Sequence, residues 1–238
     1  MKEKIAGFRT TRWSVVLQAS GPAESAPALS LLCEQYWYPL YAFARHRGYS
    51  AADAEDHTQG FFVYILERNA FAKADRERGR FRTFLLVSFR SFLMHARERA
   101  SAKRRGGDQH FVYLDAEIAE RRYLLEPADE RSPDRVYDRC WAMTILDGVM
   151  KQLSSEAQRN GSEERFELLK PWLTGNAHRH DYGTVATALD CTEAALRVAV
   201  HRLRARYGKL LREAVLETVA DESEVPGELR HLLASLRM

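Results

Sequence analysis

The residues with the clearest chemistry lie in the segment TEAALRVAVHRLRARY, which runs from Thr192 to Tyr207. At about 100° per residue, the larger apolar side chains fall on one side of a helix, namely Leu196, Val200, Leu203, Tyr207 and Leu210, with Ala199 at the edge. The other side combines small or uncharged residues with cations, namely Ala194, Val198, His201, Ala205, Arg197 and Arg202, while Arg204 and Arg206 lie nearer the apolar edge. Small side chains let a helix approach base edges, and arginines bind guanine or phosphate. The pattern therefore indicates non-covalent contact with DNA.

The residues before this helix predict a second, shorter helix and a turn. The segment YGTVATALDC directs Val185, Ala186 and Leu189 inward, and a tight turn is expected at 189–191. Thr192 suits the N-cap of the long helix, where a hydroxyl accepts a hydrogen bond from a free backbone N–H. A short helix, a tight turn and a capped second helix form the helix-turn-helix pattern; the alternative is a basic amphipathic helix in an ordinary bundle. The predicted DNA contacts are Thr192, Arg197, Val198, His201, Arg202 and Arg204.

A second basic block runs from residue 75 to residue 105, where ten Arg or Lys stand against three Asp or Glu. Cations interleaved with aromatic rings suit single-stranded or melting DNA, because arginines hold phosphate while rings or pockets hold unstacked bases. The predicted DNA contacts here are Arg76, Arg80, Arg82, Arg90 and Arg97. The phenylalanines recur at helical spacing and are predicted to be core, namely Phe81, Phe84, Phe89 and Phe92. The alternative is a solvated charged loop in front of a core helix.

The segment AADAEDHTQGFFVYIL, which begins at Ala51, predicts a helix with one unusual face. Its buried side is expected to comprise Ala54, Thr58, Phe61, Phe62 and Ile65. A glycine inside a helix costs about 1 kcal/mol relative to alanine, but on an outer face it permits close approach of another molecule. We therefore predict a docking face made of Asp53, Asp56 and Gly60, with Gln59 at its border. The alternative is a helix start with favourably placed acids and one tolerated glycine.

The chain that carries these features is predicted to be all-α. Apolar residues recur at three-to-four spacing through most of its 238 residues, and strand-like alternation is nowhere sustained. The net charge is −5 over residues 108–138 and +5 over residues 192–212, which indicates an acidic connector between two basic domains. We expect an N-terminal extension (1–27), a first small helical domain (28–105), a linker with one or two weak helical turns (106–132), a second small helical domain with the helix-turn-helix (133–217) and a C-terminal extension (218–238).

Other residue types argue against several classes of protein. Cys33, Cys140 and Cys191 are odd in number and far apart, which indicates a reducing, cytoplasmic setting rather than a disulfide framework. No apolar run has the roughly 18 residues of a membrane span, and no signal peptide is recognisable. The segment HRHD at 178–181 and the distant His57 lack the i, i+4 pairing of helical metal ligands. No metal, cofactor or catalytic residue is predicted.

Taken in order, DAEDHTQGFF, DRERGRFRTFLL and YGTVATALDCTEAALRVAVHRLRARY resemble the extracytoplasmic-function sigma factors of bacterial RNA polymerase, over residues 28–215. The resemblance implies that residues 53–66 dock on the clamp coiled coil of the largest polymerase subunit, a role that falls to Asp53, Asp56 and Gln59. It also implies that residues 76–99 read and melt the −10 promoter element, and that the helix-turn-helix reads the −35 element. The acidic linker would thread through the polymerase. Gly60 and Ala199 depart from the family, where an acid and an arginine are common.

The expected function is therefore that of a sigma subunit, which is not an enzyme and whose partners are core RNA polymerase and promoter DNA. Control by an anti-sigma protein is left open. The alternatives are a stand-alone helix-turn-helix regulator and a nucleic-acid enzyme. In the C-terminal extension, an acidic segment precedes a helix expected after Pro226. This helix either packs on the second domain or folds over a basic domain, where it would compete with DNA.

Overall fold

The computed structural model describes residues 22–67, 80–102, 116–125, 132–174, 181–219 and 221–237. Within these ranges every regular element is helical, which confirms the all-α class. The α-helices are α1 (Pro22–His46), α2 (Ala51–Glu67), α3 (Phe81–Ala102), α4 (Ala116–Leu125), α5 (Pro133–Arg159), α6 (Glu163–Leu169), α7 (Tyr182–Ala188), α8 (Glu193–Leu216) and α9 (Val225–Arg237). Short 3-10 turns follow α6 (Lys170–Trp172) and precede α9 (Glu222–Glu224).

The chain divides into two compact units. The first unit comprises the chain up to Thr144 and again from Leu216 onward, whereas the second comprises Ile145–Val215. The boundaries between the two units fall inside α5 and at the end of α8. The C-terminal extension belongs to the first unit, although a packing on the second domain was one of the two expectations.

The core of the first unit surrounds α1. Every residue from Tyr36 to Ala44 is buried, because α2, α3 and α4 all pack against this helix. The rings of Phe61 and Phe89 lie 5.0 Å apart, centroid to centroid, and the ring of Phe43 lies 6.1 Å from that of Phe89. Burying a side chain of this size contributes about 1.5 to 3 kcal/mol. The expected inner face of α2 is buried as predicted, at Ala54, Thr58, Phe61, Phe62 and Ile65.

The sequence between α1 and α2 stops one helix and starts the next. Gly48 has a φ of +88°, and the N–H of Tyr49 donates to the carbonyl of Ala44 at 3.2 Å, which closes α1. Ser50 then caps α2. Its hydroxyl accepts a hydrogen bond from the N–H of Asp53 at 3.1 Å and donates to the Asp53 carboxylate at 2.7 Å. The start of α2, and with it the position of its acidic residues, is fixed by local chemistry.

Helix α4 lies in the region expected to be a linker, and its ten residues exceed the one or two weak turns expected. Its Glu120 carboxylate accepts hydrogen bonds from Arg45 at 2.9 and 2.7 Å and from the hydroxyl of Tyr41. The guanidinium of Arg122 stands 4.1 Å from the ring centroid of Tyr38. These contacts attach α4 to α1, which explains why a short segment of weak periodicity is helical.

The second unit is built on two adjoining apolar clusters. One joins α7 and α8 to the end of α6, and its buried members are Leu169, Trp172, Val185, Ala186, Leu196, Ala199 and Val200. The other joins α8 to α5 and α6, and its buried members are Val149, Leu153, Ala157, Phe166 and Leu210. One side of α8 supplies residues to both clusters. The opposite side of α8 is therefore fixed in orientation by the core beneath it.

Candidate nucleic-acid interface

Helices α7 and α8 are joined by a turn whose hydrogen bonds are all supplied locally. The Asp181 carboxylate accepts a hydrogen bond from the N–H of Thr184 at 3.1 Å and caps α7. At the other end, Asp190 takes a φ of +47°, and the N–H of Cys191 donates to the carbonyl of Ala186 at 2.9 Å. The hydroxyl of Thr192 accepts from the N–H of Ala195 at 3.2 Å and starts α8. The short helix, the tight turn and the N-cap were all predicted.

The outer side of α8 combines the small, apolar and basic residues that the sequence placed there. Leu196, Ala199 and Val200 are buried on the inner side. The side chain of Val198 is 50% exposed. The residues exposed with it are Ala194, Arg197, His201, Arg202 and Ala205. A helix with this outer side can approach a groove of DNA closely while its cations reach phosphate or guanine.

Arg197 is held over the start of α8. Its guanidinium lies 4.4 Å from the ring centroid of Tyr182, and one of its nitrogens lies 3.5 Å from the Glu193 carboxylate. Both contacts are at the surface, where an ion pair contributes about 0 to 1 kcal/mol. A phosphate can therefore replace the Glu193 carboxylate at little cost. The contact with the ring meanwhile limits the rotamers of Arg197.

The two arginines nearer the core edge have structural contacts within the second unit. Arg204 is exposed, yet its guanidinium donates to the carbonyl of Trp172 at 3.1 and 3.3 Å. Arg206 pairs with Glu156 of α5, with Nε 2.9 Å from one carboxylate oxygen. The hydrogen bonds from Arg206 lower the pKa of Glu156. Of the basic residues on α8, Arg204 and Arg206 hold the helix in place, while Arg197 and Arg202 are presented outward.

The predicted DNA contacts of the first unit are placed differently from those of α8. Arg82 is only 7% exposed. Its Nε donates to Glu228 of α9 at 2.7 Å and its Nη1 donates to Asp138 of α5 at 2.6 Å. Arg80 also lies against Glu228, and Arg90 pairs with Asp134. Each of these three arginines is thus paired with an acid inside the first unit. Arg76 and the side chain of Arg97 lie outside the described residues.

Helix α3 nevertheless presents an exposed stripe. Val87 and Met94 are large apolar residues that are mostly exposed, and Thr83 and Ser91 are exposed on the same side. Of the phenylalanines predicted to be core, Phe81 and Phe89 are buried, whereas Phe84 and Phe92 are partly exposed. Large apolar residues that are exposed together on one helix face form a surface that another molecule can cover.

The face of α2 that carries the acidic residues is only partly exposed to solvent. Asp53 and Asp56 are exposed, while Gln59 is partly buried and donates to Glu55 at 3.0 Å. Gly60 is also partly buried, and a Cβ there would lie 3.5 Å from the ring of Phe92. Gly60 therefore lies beside α3, and its place in the docking face stays a prediction. Burial lowers the pKa of the neighbouring His57, and the nearby Asp53 and Asp56 oppose that effect.

The acids that pair with the arginines of α3 were not predicted from the sequence as their partners. Asp134, Asp138 and Glu228 lie 44, 56 and 146 positions from their arginine partners. No local spacing can reveal pairs at such separations. The sequence signal that pointed toward them was the excess of acids over residues 108–138 and at the start of the C-terminal extension.

No protein-family model, curated protein or solved structure matches the chain. Among the described residues, no three His, Cys, Asp or Glu side chains are grouped so as to hold a metal ion. None of the described helices combines the length and the apolar character that crossing a membrane requires. The outer side of α8, the exposed stripe of α3 and the acids of α2 are the surfaces from which a function can be argued.

Proposed function

We propose that this protein is a sigma subunit of bacterial RNA polymerase, of the extracytoplasmic-function type, which directs the core enzyme to promoters and assists their melting. It acts in the cytoplasm, without a cofactor and without catalytic residues, because the chemistry of transcription belongs to the polymerase. The observation that carries the proposal is the outer side of α8, where Val198, His201 and Arg202 are exposed beside Arg197. A short helix and a tight turn precede α8, and helix-turn-helix proteins place their second helix in the major groove in this way.

On this proposal α8 reads the upstream promoter element. Val198 is suited to contact a thymine methyl group, and Arg197 and Arg202 reach guanine or phosphate. Thr192, the N-cap of α8, contributes a hydroxyl at the positive end of the helix dipole, which favours phosphate. Arg204 is anchored to the Trp172 carbonyl and adds positive charge at the edge of the same surface.

The first unit favours a sigma subunit over a stand-alone regulator. A regulator needs only α8 and a means of dimerising or binding an effector. This chain also presents exposed Asp53 and Asp56 on α2, and an exposed apolar stripe on α3 that includes Val87 and Met94. Exposed acids suit docking on a basic partner, here the clamp coiled coil of the polymerase. The stripe offers apolar contact area, and on this proposal bases that have left the duplex cover it.

In vitro transcription tests the proposal most directly. Core RNA polymerase is combined with this protein on a library of random promoter sequences, and transcripts are selected and sequenced. We expect transcripts that share a pair of upstream elements, and we expect none without the protein or with the double variant R197A/R202A. If the protein binds duplex DNA yet neither binds core polymerase nor supports transcription, it is a stand-alone regulator. Metal-dependent cleavage of the DNA would instead indicate an enzyme.

A further inference from the structure

Helix α9 packs on the first unit through a buried face. Val225, Leu232 and Ser235 are buried, and Thr218 and Val219 are buried just before the helix. The same face carries Glu228, whose side chain is fully buried at 0% exposure. Burying a carboxylate is unfavourable unless opposite charges and hydrogen bonds compensate for its lost hydration. The position of Glu228 therefore requires specific partners, and these are the arginines at the start of α3.

Two guanidinium groups converge on the Glu228 carboxylate. Arg82 donates from Nε to Oε1 at 2.7 Å, and Nε of Arg80 lies 2.9 Å from Oε2, a charge contact without the angle of a hydrogen bond. The neighbouring Gly227 leaves room for this arrangement, because a Cβ there would lie 3.4 Å from Arg80 Nη2. Two guanidinium groups on one anion form the arrangement that proteins use to bind carboxylate and phosphate.

Other contacts orient Arg82 from the opposite side. Asp138 accepts from Arg82 Nη1 at 2.6 Å, and its other oxygen lies 3.3 Å from Nε2 of His231 on α9. The guanidinium of Arg82 stands 5.3 Å from the ring centroid of Trp141, and Tyr137 donates to the backbone carbonyl of Arg82 at 3.0 Å. Asp138, Trp141 and Tyr137 belong to α5. These contacts to α5 hold Arg82 without the help of α9.

We propose that α9 is a removable cover of the anion site formed by Arg80 and Arg82, and that the ligand of the open site is the phosphate backbone of single-stranded promoter DNA. Glu228 takes the place of a phosphate while the cover is closed. The inference rests on the proposed function, because Arg80 and Arg82 are predicted from the sequence as DNA contacts of such a subunit. Arg80 is still 35% exposed beside Glu228, so an incoming phosphate can reach one arginine before α9 leaves.

The cover lowers the apparent affinity for DNA by the fraction of molecules that are open. With the cover removed, each arginine that gains a phosphate releases counterions and steepens the salt dependence of binding. Closing the site in the free protein also prevents a basic surface from binding nucleic acid non-specifically.

The first experiment measures the affinity of full-length variants for a short single-stranded DNA of mixed sequence. Glu228→Gln keeps the shape of the side chain and removes its charge, and the matched control Glu222→Gln removes an exposed charge from the same extension. We expect Glu228→Gln to bind about tenfold more tightly than wild type, as an open fraction of about one tenth gives. We also expect its log–log salt slope to steepen by about 1 to 2. Unchanged affinity for Glu228→Gln, or an equal gain for Glu222→Gln, overturns the cover.

A second measurement uses the wild-type protein and does not depend on the folding of a variant. Amide hydrogen exchange is followed in the free protein and with saturating single-stranded DNA. Displacement of the cover predicts faster exchange across 225–237 in the DNA complex. If the amides of α9 keep their protection while DNA is bound, α9 is a permanent part of the first unit and the proposal is wrong.

Transcription with core polymerase separates this inference from the proposed function. If wild type and Glu228→Gln both direct transcription, but neither affinity nor exchange changes as expected, the protein is a sigma subunit without a cover. If neither protein directs transcription, yet Glu228→Gln binds single-stranded DNA more tightly and DNA releases α9, the cover stands and the proposed function fails. If neither protein binds single-stranded DNA, the arginines are not a DNA site and the cover is rejected.

Discussion

Arg202 and Arg204 are two residues apart on α8, but only Arg204 has a backbone partner, the Trp172 carbonyl, in the part of the chain that is described. We predict that Arg202→Ala weakens the binding of duplex promoter DNA and changes the stability of the second unit by no more than about 0.5 kcal/mol. A lost base contact costs about 1 to 3 kcal/mol at one position of the site, whereas a lost phosphate contact lowers the salt slope by about 1. Fluorescence anisotropy titrations at several salt concentrations distinguish a lost base contact from a lost phosphate contact.

Arg204→Ala is the companion variant, because Arg204 lies at the edge of the same surface but also bonds to the Trp172 carbonyl. It removes the hydrogen bonds to the Trp172 carbonyl, so we expect a loss of about 1 kcal/mol in the free energy of unfolding. Urea denaturation measures this loss. If Arg202→Ala binds duplex DNA as wild type does at controlled salt, the outer side of α8 is not the interface.

Single residues also mark the limit of what the sequence could predict. The inner and outer sides of α8 follow from its period, because each position depends only on its neighbours along the helix. Arg82 does not follow from any such rule. An arginine in a basic segment is expected to be exposed, yet Arg82 is buried because Glu228 and Asp138 surround it. Its environment depends on a tertiary contact between segments 146 positions apart.

Among the helices, α2 contains an interior glycine, Gly60, whose effect on stability and whose part in docking can be measured separately. A Cβ at Gly60 would lie 3.5 Å from the Phe92 ring, which is ordinary van der Waals contact. We therefore predict that Gly60→Ala is tolerated and raises the free energy of unfolding by up to about 1 kcal/mol. Thermal and urea denaturation measure the gain. A loss of stability would show that the packing between α2 and α3 cannot accept the methyl group.

The same variant tests whether the glycine serves docking. If a partner approaches α2 at Gly60, the more stable Gly60→Ala protein binds core polymerase more weakly than wild type. Equal binding would mean that the glycine is a tolerated feature of the α2–α3 contact. Gly148→Ala is the matched control, because it also replaces a helical glycine and its Cβ would meet open space.

The attachment of α4 to α1 is predicted to depend on pH. Burial favours a higher pKa for Glu120, but hydrogen bonds from Arg45 and Tyr41 outweigh it, so the pKa of Glu120 in the folded protein is lower than its ordinary value of 4.5. An acid of lowered pKa contributes stability above its unfolded pKa, and this contribution is lost as the pH falls through the folded pKa. The attachment is therefore expected at neutral pH and to weaken progressively below 4.5.

Glu120→Gln measures the size of this effect. Hydrogen bonds to a charged group contribute about 1.5 to 3 kcal/mol, so we expect a loss of that order at neutral pH and a smaller difference from wild type in acid. Urea denaturation of both proteins across the acidic range gives the two curves. The control Glu164→Gln, which removes an exposed carboxylate, should leave the pH profile unchanged. If the free energies of unfolding of Glu120→Gln and wild type change in parallel with pH, the ionised Glu120 carboxylate does not attach α4 to α1.

The comparison of α4 with α2, α3 and α8 explains which elements the sequence could predict. Those three helices follow from apolar residues at helical spacing, and the starts of α2 and α8 were expected at Ala51 and just after Thr192, where the structure has them. Helix α4 is ten residues long, and isolated helices of that length are marginal in water. Its stability comes from Arg45, which lies 75 positions earlier. The helical class was therefore predictable, whereas the extent of α4 and the packing of α9 were not.

At the scale of the whole molecule, the proposed tasks fall in different units. The acids of α2 belong to the first unit and the outer side of α8 to the second. A change at an exposed residue of one unit is therefore expected to leave the fold of the other unit intact, since each unit has its own core. A single-function regulator would not show this separation, because all of its activity would depend on α8.

Asp56→Arg tests the separation, because Asp56 is exposed and its reversal disturbs no core residue. We expect the variant to fold, to bind duplex DNA through α8 with wild-type affinity, and to lose most of its affinity for core polymerase and its transcription activity. The reason is electrostatic: like charges placed across an interface cost several kcal/mol, and unlike charges accelerate docking.

Glu164→Arg is the matched control, since it makes the same charge change at an exposed acid of the second unit. Pull-down with core polymerase, anisotropy with duplex DNA and transcription are measured on both proteins at one salt concentration. If Asp56→Arg binds core polymerase and transcribes as wild type does, α2 is not the docking surface. If Glu164→Arg loses core binding to the same degree, the loss reflects net charge, and Asp56 has no specific role.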